Sequence, residues 1–162
     1  MRLLVLADTH LRAGRALPDA VWAAVDRADG VLHAGDVTEA ELLDELASRR
    51  PLWAVLGNND RSLAARLPEV IEETFGGVPI AMVHESGPRK GREARLHRRF
   101  PGARVVVFGH SHEPVDDIGI EGQRLFNPGS PTQRRRQPVA TFGWLELDRG
   151  KVLEHRIVPV SR

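Results

Sequence analysis

Apolar residues gather in five short runs along the chain: Leu3 to Ala7, Gly30 to Ala34, Leu52 to Leu56, Pro79 to Val83 and Val105 to Phe108. Their length and unbroken apolar character predict strands buried on both faces. Helical spacing lies between the early ones. Pro18 to Arg27 places Val21, Trp22 and Val25 on one stripe, and Glu39 to Ala47 does the same with Leu42, Leu43 and Leu46, with Thr38 as the expected N-cap. Strand alternating with helix predicts right-handed crossovers and a largely parallel sheet in the first half. After residue 112 the pattern changes to short strands separated by turns, near Val115 to Ile120, Arg124 to Asn127, Val139 to Leu147 and Val152 to Val158, with Asp148-Arg149-Gly150 joining the last two. These are expected to pair antiparallel. Burying both sets requires an α/β fold: a layered α/β/β/α sandwich of two mixed β-sheets flanked by helices.

Each apolar run ends in polar residues with lone pairs. The first runs into Asp8-Thr9-His10, the second into Gly35-Asp36, the third into Gly57-Asn58-Asn59-Asp60, the fourth into His84 and the fifth into Gly109-His110-Ser111-His112. Ligands of open α/β sheets bind outside the carboxyl ends of the strands, so this order predicts one cluster on one rim. Asp36, Asn58 and His110 directly follow a glycine, which suits loops crowding together around ions. Asp8 and His10, like His110 and His112, are one residue apart, and on an extended segment both members of such a pair face the same way. Any one of these residues is explained by a turn or a cap. Seven of them at five successive strand ends are explained better by metal binding.

Composition narrows the class. A chain of 162 residues makes one ordinary domain, expected to span residues 1–162, and 41% hydrophobic with 28% charged residues describes a soluble globular protein. There is no cysteine, which excludes disulfides, thiolate metal sites and a cysteine nucleophile. Any metal is therefore held by nitrogen and oxygen. The run Leu3 to Ala7 is too short for a signal-peptide core and no later stretch is long enough to span a bilayer, so the expected location is the cytoplasm, with no membrane partner.

The series Asp8-x-His10, Gly35-Asp36, Gly57-Asn58-x-Asp60, His84 and Gly109-His110-x-His112 resembles the calcineurin-like metallophosphoesterases, and within them the small bacterial and archaeal phosphodiesterase branch. The resemblance covers residues 1 to about 135 and includes Asn127-Pro128-Gly129-Ser130. It implies that Asp8, His10 and His112 hold one divalent ion, that Asn58, His84 and His110 hold a second, and that Asp36 bridges the two. Asp36, Asn58, His84 and His110 are the residues expected to carry catalysis. Four imidazoles among the ligands suit manganese, the expected metal, or iron, nickel or zinc. Two such ions bring more positive charge than Asp8 and Asp36 neutralise, so even a bridging hydroxide, the expected nucleophile, leaves a site attractive to a phosphodiester. A small or activated phosphodiester is the expected substrate. The alternatives are a phosphomonoesterase and, from another class, a metal-bound protein-interaction scaffold resembling the retromer small subunit.

The chain departs from the wider superfamily at Asn59, where a histidine commonly protonates the leaving group. An amide cannot do so, which predicts a strong preference for good leaving groups. Asp60, with no histidine to orient, is expected to cap the segment Arg61 to Leu67. Glu85 and Leu11 stand where glycine is frequent and alter the cleft. Of 23 Lys and Arg residues only Lys90 and Lys151 are lysines. The arginines between Arg89 and Arg99 read as a solvated helix face. For Arg134-Arg135-Arg136 a solvated turn is the ordinary reading, and the resemblance, which sets them after a loop near the metals, adds a phosphate contact as the alternative. Only 5% of residues are aromatic and none is tyrosine, which argues against a long nucleic acid partner. His33 is expected inside a strand, and His97 and His155 away from the rim. The sequence marks no interface, and homo-oligomers are compatible with it.

Overall fold

The computed structural model describes residues 1–11 and 14–161. Two five-stranded mixed sheets lie face to face. Strands β1 (Arg2–Leu6), β2 (Gly30–His33) and β3 (Leu52–Ala54) run parallel; β9 (Thr141–Asp148) pairs antiparallel with β1, and β10 (Lys151–Pro159) with β9, giving the order β10-β9-β1-β2-β3. The second sheet has the order β4-β5-β6-β8-β7, from β4 (Val70–Phe75), β5 (Val78–Val83), β6 (Val105–Val107), β7 (Val115–Ile118) and β8 (Arg124–Asn127). Among the described residues three α-helices flank the sheets: α1 (Asp19–Val25), α2 (Ala40–Arg49) and α3 (Arg92–Arg99).

Side chains alternate along each central strand, and both faces are apolar because both are covered. Leu3, Val5 and Ala7 face Ile80, Met82, Val105 and Val107 across the gap between the sheets. Leu4 and Leu6 point the other way, onto Val21, Val25, Leu42 and Leu46 of the first two helices. On the far side Ala81, Val83 and Val106 pack under Leu96 of α3 and Phe100 just after it. The central layer thus holds side chains from both sheets, as in an aligned sandwich.

The five apolar runs divide between the sheets, three in the first and two in the second, so the rim is formed where the two sheets meet. Some expectations are corrected. The strand at Leu52 is an edge with Leu52 and Trp53 only half-buried, because among the described residues no strand pairs beyond it. The later strands pair antiparallel with one another as expected, β7 with β8 and β9 with β10, while β8 also runs parallel to the earlier β6. Strand β4 was not expected from the sequence, its centre being the polar Glu72-Glu73-Thr74; the Gly76-Gly77 turn after it, with φ of 55° and 82°, is the hairpin signal that marks it. Thr38 does not cap α2. Its φ is 68° and its hydroxyl donates to the Leu11 carbonyl, so Glu39 occupies the cap position.

Candidate metal centre

The loops after β1, β2, β3, β5 and β6 bring Asp8, His10, Asp36, Asn58, His84, His110 and His112 onto one rim. The loops pack closely. The Asp8 amide donates to Gly35 O at 3.0 Å, His10 N to Asp36 O at 3.1 Å and Gly109 N to His84 O at 3.0 Å. Glycine is required at two crossings: a Cβ on Gly35, whose φ is 87°, would lie 2.6 Å from His84 Nδ1, and one on Gly57 would lie 2.2 Å from the Asp36 amide. Asp8, His10, Asp36, His110 and His112 all adopt positive φ, between 37° and 70°. The paired residues therefore reach the rim from left-handed turns and not from extended segments: Asp8 and His10 still converge, whereas His110 and His112 diverge to different partners, Asn58 and His10.

Two groups of donors form. In the first, His112 Nδ1 donates to Gln133 O at 2.5 Å, leaving Nε2 without a proton in the neutral ring. That Nε2 lies 3.1 Å from His10 Nε2 and 3.6 Å from Asp8 Oδ1. Burial pushes the His112 pKa down and keeps the ring neutral. In the second, His84 Nδ1 donates to Ala34 O at 2.7 Å, while its Nε2 faces Asn58 Oδ1 at 2.9 Å and Asp36 Oδ2 at 3.4 Å. His110 Nδ1 approaches the same Asn58 oxygen at 3.0 Å. Asp36 Oδ2 is also 3.3 Å from His10 Nε2, so this carboxylate touches both groups.

This arrangement places acceptor against acceptor. With the Nδ1 protons of His84 and His112 committed to carbonyls, the neutral rings direct lone pairs at carboxylate, amide and imidazole atoms. A cation between them, or an added proton, relieves the repulsion. His84 shows the second remedy: burial opposes its charged form, but Asp36 and the Ala34 carbonyl outweigh that and raise its pKa. Burial likewise opposes the charged form of Asp36, and bonds from His84 and Asn59 more than offset it, holding the carboxyl well below the usual range. Asp8 Oδ2 is buried with no hydrogen-bond partner. Asp8, His10 and His112, and separately Asp8, Asp36 and His84, offer ligand atoms within 4.8 Å of one another. The donor set fits divalent ions.

Residues around the ligands fix their positions. Asp60 does not cap the following turn. Its buried carboxylate accepts the amides of Asp36 at 2.8 Å, Thr38 at 2.7 Å and Gly57 at 2.8 Å, tying the second and third loops together. Asn59 donates to Asp36 Oδ1 from its backbone and to Oδ2 from its side chain, at 2.8 and 2.7 Å. Ser130 Oγ donates to Asp8 O, Thr132 Oγ1 to Thr9 O and Gln133 Nε2 to His10 O, clamping the loop after β8 over the first loop. Asn127 Nδ2 holds Gly109 O at 3.0 Å. The Asn127-Pro128-Gly129-Ser130 turn is thus a brace for the rim as well as a turn. Ser130 stood out only as part of that turn, and Thr132 and Gln133 went unnoticed because single hydroxyl and amide residues near a turn carry no distinguishing pattern.

Of the three consecutive arginines, Arg134 donates to Gln137 O, whereas Arg135 Nη1 lies 3.5 Å from the His110 carbonyl, beside the rim. The arginines before and within α3 are more than a solvated face: Arg95 donates to Ser86 O at 3.0 Å, bracing the loop after His84, and Arg92 lies over the Phe108 ring. Outside the centre, His155 bonds Asp116 at 2.6 Å and His97 approaches Glu121 at 3.9 Å.

His33 is fully buried on β2, its Nε2 3.1 Å from the Thr9 hydroxyl and its Nδ1 without a partner. Burial lowers its pKa from 6.5 to about 4. Between those values the unfolded chain binds the proton and the folded chain does not, so stability falls as pH drops through this window, by up to about 3 kcal/mol for the full shift. Urea unfolding of wild type and His33→Gln between pH 7 and pH 4 is expected to show the steeper loss in wild type; parallel curves would exclude this role.

Among the described residues no helix is long and apolar enough to cross a membrane. Residues 1–150 match the calcineurin-like phosphoesterase superfamily domain. The chain is 35% identical, over 99% of its length and 82% of the relative's, to a probable metallophosphoesterase of Methanocaldococcus jannaschii. Its fold is similar to that of zinc-complexed Vps29 from Entamoeba histolytica, with a TM-score of 0.76 and 22% identity over 98% of this chain and 99% of that one. It is also similar to an archaeal protein characterised as a phosphodiesterase, with a TM-score of 0.73 and 18% identity over 99% of this chain and all of the other.

Proposed function

Because the chain belongs to the calcineurin-like phosphoesterase superfamily, we propose that it is a dinuclear metal-dependent phosphodiesterase acting on small or activated esters. The convergence of nitrogen and oxygen ligand atoms from five loops carries this reading. Asp8, His10 and His112 would hold one ion, Asn58, His84 and His110 the other, and Asp36, which reaches both groups, would be shared. Imidazole, carboxylate and amide oxygen together favour manganese, with iron, nickel or zinc as alternatives. When bound, such ions neutralise phosphoryl charge and acidify water.

The chain's own residues do the rest. Water is the nucleophile, since the nearby hydroxyls are engaged: Ser130 and Thr132 donate to backbone carbonyls, and Ser111 Oγ accepts from Asn127 and Glu113. Arg135, beside His110, contacts the phosphate and orients it. Asn59 holds both oxygens of Asp36 through its backbone and side-chain N–H groups, and a carboxamide is too weak an acid to protonate a leaving oxygen, so the leaving group departs as its anion. The manganese-supplied protein is expected to hydrolyse bis(p-nitrophenyl) phosphate, to lose that activity to a chelator, and to cleave an alkyl diester about 10²–10⁴-fold more slowly. Equal rates on the two diesters would overturn the account of Asn59. A metal-loaded but inert protein would favour the scaffold reading that the Vps29 likeness suggests, and faster turnover of a monoester would favour a phosphomonoesterase.

A further inference from the structure

The rim separates two clefts of opposite character. One, of about 420 Å³, starts at His10 and is walled by Arg15, Pro18, Pro131, Thr132 and Gln133. The other, of about 360 Å³, starts at Asn58 and His84 and is lined by Glu69, Glu85 and Arg99. Among the described residues lining the first cleft Arg15 is the one fixed cation and there is no carboxylate, while on its far side Arg15 borders an adjoining hollow lined by Glu39, Glu41 and Glu45. In the second cleft two carboxylates face one arginine. Glu85 also lies 3.9 Å from His110, extending negative charge to that side of the rim. The first cleft has a stiff wall. Thr132 and Gln133 are bonded to the backbone of Thr9 and His10, and Pro18 and Pro131 restrict the chain on either side.

In an in-line displacement the leaving group departs away from the attacking oxygen, outward from the rim, so an arm lying sideways in a cleft is the ester that the phosphorus keeps. We infer that the cleft beside His10 receives the retained arm of a phosphodiester bearing a second phosphate, with Arg15 as the residue that selects it. This rests on the phosphodiesterase reading above. The carboxylates of the opposite cleft repel such an arm, and guanidinium pairs with phosphate through parallel charge-assisted bonds. Substrates of this class are nucleotide-like diesters phosphorylated at a second position.

Two chromogenic esters with one leaving group test it: thymidine 5′-(p-nitrophenyl phosphate) and the same compound with a 3′-phosphate. The manganese-supplied protein is expected to show kcat/KM about tenfold higher for the 3′-phosphorylated ester. That ratio should fall toward one in Arg15→Gln and persist in Arg149→Gln, on the turn between the last two strands. A wild-type ratio near one, or a ratio untouched by Arg15→Gln, overturns the inference. Calorimetric titration with thymidine 3′,5′-bisphosphate and thymidine 5′-monophosphate separates the two readings. If neither ester turns over but the bisphosphate binds more tightly through Arg15, the cleft stands and the phosphodiesterase reading fails; if it does not, both fall.

Discussion

Asp36→Asn is expected to lower kcat/KM on a nitrophenyl diester by about a thousandfold or more, with loss of tightly held metal. The substitution is isosteric, so the effect isolates charge. Asp36 Oδ2 lies within 3.4 Å of both His10 Nε2 and His84 Nε2, so it touches both groups of donors. An amide there carries no negative charge and presents N–H groups to Asn59, which already donates to both carboxylate oxygens. The loss of several kcal/mol of charge stabilisation corresponds to at least three decades in rate. Metal analysis after gel filtration, together with steady-state kinetics at saturating manganese, measures both consequences. A variant that retains two equivalents of metal and turns over within tenfold of wild type would remove Asp36 from the mechanism.

The largest effect on stability is expected at Asp60. Its carboxylate is fully buried and accepts three main-chain amides from two loops. Asp60→Ala strands those donors in a closed space, and unpaired buried groups cost about 1–3 kcal/mol each before relaxation. With water admitted to part of the gap, a net loss of about 4 kcal/mol is expected, lowering the melting temperature of the metal-free protein by about 10 °C. Measuring without metal separates this from ligand linkage. A melting temperature within two degrees of wild type would mean the loops hold their shape unaided, and Asp60 would then be merely placed there.

Much of the fold was legible because two signals coincided: apolar runs of strand length, and polar residues at their carboxyl ends. The runs at Leu3, Gly30 and Val105 became central strands, buried on both faces as their composition requires. Strand β4 escaped because an edge strand with Glu72 and Glu73 facing water has no apolar pattern to read. The division of the runs between two sheets escaped for another reason, since sheet membership is set by pairing partners distant in sequence. At the site, residues that end a strand in Asp, Asn or His stood out, whereas those that brace them did not. Asp60 is instructive. Its position before a short 3₁₀ turn at Arg61–Leu63 predicts a cap, yet the approach of Asp36 and Thr38 from another loop gives its oxygens better partners.

Five of the rim side chains sit on backbone turned left-handed, a conformation that costs a residue with a β-carbon about 1 kcal/mol and glycine almost nothing. The same loops would relax if those side chains were shed. A descendant freed from its present task would drift to glycine there first, growing more robust as it fell silent. The rim is the part of this molecule that a search for durability alone would erase.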